Sequence, residues 1–147
     1  MRATLIFALL TAVTNAPLHR LPAQNEVVVI VNNASISTES LTRDEVSKMF
    51  LKKVPRWENG TTVAPVDLAS GSPTRDVFSQ AFFYKSTAAI KAYWQNQIFA
   101  GRQVPPPERD SEQQVVDFVR TTPGAIGYVS AALALAPGVR PVRILRR

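Results

Sequence analysis

Val27 to Val31, five β-branched residues in an unbroken run ending at Asn32-Asn33, constrain this 147-residue chain more than any other segment. Side chains alternate faces along a strand, so a continuous apolar run buries both faces, as a central strand of an α/β sheet requires. The asparagines then start a turn. Beyond them the period becomes helical. Thr42 with Glu45 forms a capping box, and Val46, Met49 and Phe50 follow at three- and four-residue steps, which predicts a helix from about Arg43 to Leu51. Glu58-Asn59-Gly60 supplies a turn, Thr62 to Val66 a second strand, and Asp67 to Ser72 a polar loop. Ser72 caps the next helix, with Pro73 in its first turn and Val77, Phe78, Ala81 and Phe82 facing inward.

The second half repeats this grammar. Ser86 caps a third helix that turns Ile90, Tyr93, Trp94 and Ile98 to the core and stops at Gly101. Phe82, Phe83, Tyr84, Tyr93, Trp94 and Phe99 have the spacing of core aromatics. Pro105-Pro106-Pro107 reads as a stiff extended connection across the surface. Ser111 with Gln114 repeats the capping box ahead of Val115, Phe118 and Val119, and this fourth helix ends near Pro123-Gly124. Ala125 to Val129 is a strand, in which Gly124 and Gly127 allow a tight entry and a close backbone approach. Ser130 to Ala136 is expected as a short helix. Val139 to Leu145 is a last strand at an edge, because Pro141 lacks a donor for the ladder.

The length suits one domain. Met1-Arg2 followed by the apolar stretch Leu5 to Val13 has the order of a secretory signal and is too short to span a bilayer. Cleavage after Ala23 is favoured over Ala16, which Pro17 follows. The expected mature domain is then residues 24–147, periplasmic or secreted; an uncleaved anchor or a buried strand is the alternative. The chain carries +6 overall, and +4 once Arg2 and Arg20 are removed, with Arg140, Arg143, Arg146 and Arg147 gathered at the end. A basic surface concentrates anions, and equally suits anionic lipid or polysaccharide. There is no cysteine, and the single histidine, His19, falls in the signal. No Ser-His or Cys-His pair and no nitrogen–sulfur metal set can therefore form in the mature domain. Asp44 with Glu45, and Glu108 with Asp110, are explained by capping and solvation. Glycine-rich nucleotide loops are missing. An enzyme, a cofactor and a nucleic-acid partner are not expected.

Three blocks occur in a telling order: LTRDEVSKMFLKKVPRW from Leu41 to Trp57, FAGRQVPPPE from Phe99 to Glu108, and TPGAIGYV from Thr122 to Val129. In that order and spacing the chain resembles one lobe of the solute-binding subunits of phosphate ABC transporters, the phosphate-binding-like branch of the periplasmic binding proteins of type 2. The resemblance covers about half of the usual two-lobed architecture. It implies a single α/β lobe with a central mixed sheet flanked by helices. It also implies binding of phosphate or a related oxyanion in connection with ABC transport or sensing, with a transporter permease or another envelope protein as partner. The family's Ser-Gly-Thr triplet is matched by Ser70-Gly71-Ser72, which with Thr74 and Arg75 makes the candidate oxyanion site: hydroxyls, a bare glycine backbone and a helix start grouped together. Two departures stand out there. No arginine precedes the triplet, leaving Arg75 as charge partner, and Pro73 removes one N–H donor. A third departure is Lys52, where the family has glycine, so Lys52 must either strain into a left-handed conformation or end its helix differently. Lys52, Lys53 and Arg56 beside Trp57 read as a solvated face with one anchoring tryptophan, or as a polyanion contact. The alternative to ligand binding is an accessory interaction module of the cell envelope.

Overall fold

The structure, a computed structural model, describes residues 26–146. The signal segment, its cleavage point and His19 lie outside the described residues. The β-branched run forms β1 (Val27–Asn32), and it sits inside a four-stranded sheet of order β3-β6-β1-β7. β6 (Ala125–Ser130) runs antiparallel to β1, with Val29 opposite Tyr128 and Val31 opposite Ile126. β7 (Val139–Pro141) lies antiparallel on the other side of β1, and β3 (Ala64–Pro65) joins β6 in parallel, so the sheet is mixed. Val29, Ile30 and Val31 are buried whichever face they point to, while Val27 and Val28 are half-buried. Two small parallel pairs complete the strands: β2 (Ser40–Thr42) with β8 (Arg143–Leu145), and β4 (Asp67–Leu68) with β5 (Glu108–Arg109).

α1 (Arg43–Phe50) begins at the expected capping box: the Glu45 carboxylate accepts the Thr42 N–H at 2.7 Å, and the Thr42 hydroxyl accepts the Glu45 N–H at 3.2 Å. It ends with Lys52 at φ +55°, so lysine does adopt the left-handed conformation that glycine would take without strain. Trp57 is buried and donates its indole N–H to the Gly124 carbonyl at 2.9 Å. Lys53 and Arg56 are exposed, Lys52 half-buried, and the Arg56 guanidinium binds the Gly60 carbonyl; this is the solvated face with an anchoring tryptophan. α4 (Glu112–Thr121) packs Val115, Val116 and Val119 on the sheet. A Cβ at Gly127 would stand 2.8 Å from Val115 Cγ1 and 3.0 Å from Val66 Cγ1, so only glycine lets helix and strand meet this closely. At the other end of α4, the Asn32 amide donates to the Val119 and Arg120 carbonyls at 3.0 and 3.1 Å.

Several elements differ from the sequence expectation. The second strand shrinks to β3, at the sheet edge where Pro65 is tolerated, and part of the polar loop becomes β4 because it finds β5 to pair with. The proline run is no mere surface bridge: Pro106 is buried and the Pro107 carbonyl accepts the Asp67 N–H at 2.9 Å. Ser130 to Ala136 is not helical. The Ala131 N–H is bound to the Glu26 carbonyl at 2.8 Å, and the chain turns at Ala131 and Ala132, with the Leu133 N–H on the Ser130 carbonyl at 3.1 Å and Leu133 and Leu135 half-buried, so packing overrides alanine propensity. The final strand divides at Pro141 into β7 and β8, with β7 at the sheet edge. At the fourth helix the Gln114 side chain accepts the N–H of Asp110, one residue before the Ser111 cap.

α2 (Pro73–Phe78) passes directly into a π-helical segment, Ser79–Phe83, which closes on Tyr84 at φ +54°. α3 (Thr87–Phe99) then stands out from the body, burying Thr87, Ile90 and Trp94 only. Ile98 was expected inward and is exposed, as are Tyr84 (72%) and Phe99 (89%), two of the six aromatics expected in the core.

Candidate functional site

The Ser70–Arg75 turn leaves the end of β4 and enters α2. Ser70 and Gly71 are exposed, and a Cβ on Gly71 would meet nothing within 4 Å. Ser72 is half-buried; its hydroxyl caps α2 by accepting the Arg75 N–H at 3.4 Å, and its own N–H reaches the Ala69 carbonyl at 3.0 Å. Because β4 and β5 pair in parallel, the chain segments that follow them emerge side by side, and the start of α2 meets the start of α4. Between them lies a cavity of about 440 Å³, lined by Gly71, Ser72, Thr74, Asp110, Ser111 and Glu112 among others. The Thr74 hydroxyl donates to one oxygen of Glu112, and the other accepts the Ser130 N–H at 3.1 Å.

Arg75 is turned inward from this cavity, and its side chain is 4% exposed. Nη1 binds the Leu68 carbonyl at 2.6 Å and Glu108 Oε1 at 2.5 Å, and Nη2 pairs with Asp67 Oδ2 at 3.0 Å. Asp67 Oδ1 accepts the Leu68 N–H at 2.9 Å and the Tyr128 hydroxyl, and the Tyr128 ring stacks on Phe78 with centroids 3.8 Å apart. Burial pushes the Tyr128 phenol far above its ordinary value, and the adjacent Asp67 charge adds to the shift, so the ring keeps its proton and donates it. Burial also raises Asp67, against the opposing pull of Arg75, Tyr128 and the Leu68 N–H. For Arg75, burial lowers the affinity for the proton but Asp67 and Glu108 outweigh it, and the guanidinium stays charged. The arginine charge is thus compensated from within by two carboxylates.

Gly71, Ser72 and Thr74 therefore come together at one opening, with exposed Ser70 beside them in the chain, and Arg75 braces the turn from beneath. Ser111 and Glu112 are site groups that the sequence reading did not bring in. The capping signal at Ser111 was visible, but its nearness to Ser72 depends on the β4–β5 pairing. A larger hollow of about 660 Å³ lies among Thr42, Arg43, Phe82, Tyr84 and Arg146, and contains none of the candidate residues. Size and the Arg43 and Arg146 guanidiniums favour that hollow; the smaller cavity is favoured by the Ser70-Gly71-Ser72 turn that borders it. Among the described residues, no group of three or more His, Cys, Asp or Glu could hold a metal ion, and no helix is long and apolar enough to cross a membrane.

A mixed sheet flanked by helices, with its open turn at a strand end, is the architecture of one lobe of a type 2 periplasmic binding protein. The chain belongs to the PBP superfamily, whose domain model matches residues 8–139. Among solved structures it is similar to an ABC-type phosphate transport receptor from Vibrio cholerae (TM-score 0.63, 16% identity, 80% of this chain and 45% of that one). It is similar to a putative phosphate ABC transporter substrate-binding protein with bound phosphate from Clostridium perfringens (TM-score 0.63, 19% identity, 80% and 44%). A possible phosphate binding protein from Planctomyces limnophilus gives a TM-score of 0.60 at 20% identity, over 81% and 41%. The chain thus spans less than half the length of each, and at these identities the likeness is one of fold. No curated protein matches the sequence.

Proposed function

We propose that the protein is an exported solute-binding lobe that takes phosphate or a related inorganic oxyanion at the Ser70–Arg75 turn, in connection with ABC transport or sensing. The observation that carries this reading is the open Ser70-Gly71-Ser72 turn on a cavity lined by the Ser72, Thr74 and Ser111 side chains. Hydroxyls of Ser70, Ser72 and Thr74 donate to the oxygens, the bare Gly71 backbone lets them approach, and Arg75, whose charge is taken up by Asp67 and Glu108, braces the turn from beneath. The likeness to an ABC-type phosphate transport receptor and to a putative phosphate ABC transporter substrate-binding protein with bound phosphate supports the choice of ligand. One wall leaves an anion partly in water, where charge contacts are weak, so a second wall from a permease or another envelope protein tightens binding. This reading includes removal of residues 1–23, a functional domain over residues 24–147, and a periplasmic or secreted location. It includes no catalytic step.

Calorimetric titration with phosphate and then sulfate at low salt tests it. Saturable phosphate binding is expected, weakened about tenfold in Ser70→Ala, the loss of one hydrogen bond to a charged group. Gly71→Val, whose side chain enters open space, is expected to fold normally and block approach. Unchanged affinity in both variants would refute the assignment. Arg75→Ala is not a clean probe, since it also removes the partner of buried Asp67. The second reading, an accessory interaction module, is favoured by one observation: Tyr84, Ile98 and Phe99 are exposed apolar side chains in and beside the protruding α3. A folded sample silent toward both anions would favour it.

A further inference from the structure

Glu112 is the first residue of α4, where a carboxylate that only offset the helix dipole would rest in solvent. Its side chain instead reaches two other elements. One oxygen takes the Thr74 hydroxyl, 38 positions earlier, and the other takes the Ser130 N–H at 3.1 Å, 18 positions later. The carboxylate thus takes up the Thr74 hydroxyl on the same cavity that Gly71 and Ser72 line, and is itself held in place from the end of β6 by the Ser130 N–H. That hydroxyl is a donor that an entering oxyanion needs, and a carboxylate and an oxyanion of like charge do not share it.

We propose that Glu112 is a built-in occupant of the cradle, an intramolecular carboxylate that holds the Thr74 hydroxyl and must release it before phosphate binds. The inference rests on the reading of this cavity as an oxyanion site. It assigns Glu112 a regulatory role: the residue sets the affinity threshold, and a partner that draws its carboxylate away opens the site. Asp110, exposed on the same rim, adds to the local negative potential but accepts neither of the two donors.

The test is titration of the wild type, Glu112→Gln and Glu112→Ala with inorganic phosphate at low salt, with thermal unfolding followed in parallel. Glu112→Ala is expected to bind at least tenfold more tightly than the wild type, with Glu112→Gln between them. Glu112→Gln keeps the length and an accepting oxygen, so it serves as the comparison if thermal unfolding shows Glu112→Ala to be destabilised. Acetate is expected to compete with phosphate in Glu112→Ala, by refilling the vacated carboxylate position, and to do so less in the wild type. Equal phosphate affinity in all three proteins would overturn the occupant role while leaving the site in place. Weaker binding in both variants would make Glu112 a strut that shapes the cradle, and would also overturn it. Absence of binding in all three would overturn the inference and the oxyanion reading together.

Discussion

At the scale of single residues, the buried trio Tyr128, Asp67 and Arg75, with exposed Glu108 at its edge, is where polar chemistry and stability meet. Removing one member of a buried ion pair leaves an uncompensated charge, whereas removing a neutral hydroxyl leaves a vacant acceptor position. Arg75→Ala is therefore expected to cost about 3–5 kcal/mol, and Tyr128→Phe about 1–3 kcal/mol, in urea unfolding. Equal losses would show that the charge on Arg75 matters no more than a hydrogen bond. Lys52 offers a change of opposite sign. At φ +55° it is strained, and Lys52→Gly is expected to add up to about 1 kcal/mol by the relief of that conformation; an unchanged urea midpoint would contradict this. Lys52 and the Ser-Gly-Ser turn were legible in the sequence because both follow from local backbone chemistry. The inward turn of Arg75 was not legible, because its partner Glu108 lies 33 positions along the chain and nothing local announces the pairing.

At the scale of elements, caps were legible and packing was not. Thr42, Ser72, Ser86 and Ser111 each cap the helix that follows them, since a hydroxyl accepting an N–H three residues ahead is a short-range event. The alanine-rich stretch after Ser130 went astray for the converse reason: long-range pairing with Glu26 decides its shape. The π-helical segment before Tyr84 has no sequence signature at all. α3 was expected to present an apolar face, yet it buries only Thr87, Ile90 and Trp94. Local stability follows buried contact. Amide hydrogens in α3 are accordingly expected to exchange orders of magnitude faster than those of β1 and β6, as read by hydrogen–deuterium exchange. Comparable protection would mean that α3 is covered in solution, which is the outcome an interaction module requires.

At the scale of the whole molecule, the run Val27 to Val31 gave the central strand, and the three sequence blocks gave the lobe. Strand order, the antiparallel flanks of β1 and the meeting of two helix starts arise from contacts far apart in the chain. They decide what surrounds the turn, and so Glu112 escaped notice. α4 itself is tied at both ends, by Asn32 at its last carbonyls and by Glu112 to Thr74 and Ser130, with Gly127 seating its middle on the sheet. A helix pinned in this way does not swing, so opening the cradle is left to the rotation of one side chain. Such rotations run on a clock of roughly nanoseconds, against microseconds to milliseconds for hinged lobes. On the proposed reading, the site would answer an arriving anion within the lobe itself, and any slowness in a larger assembly would belong to whatever closes over it.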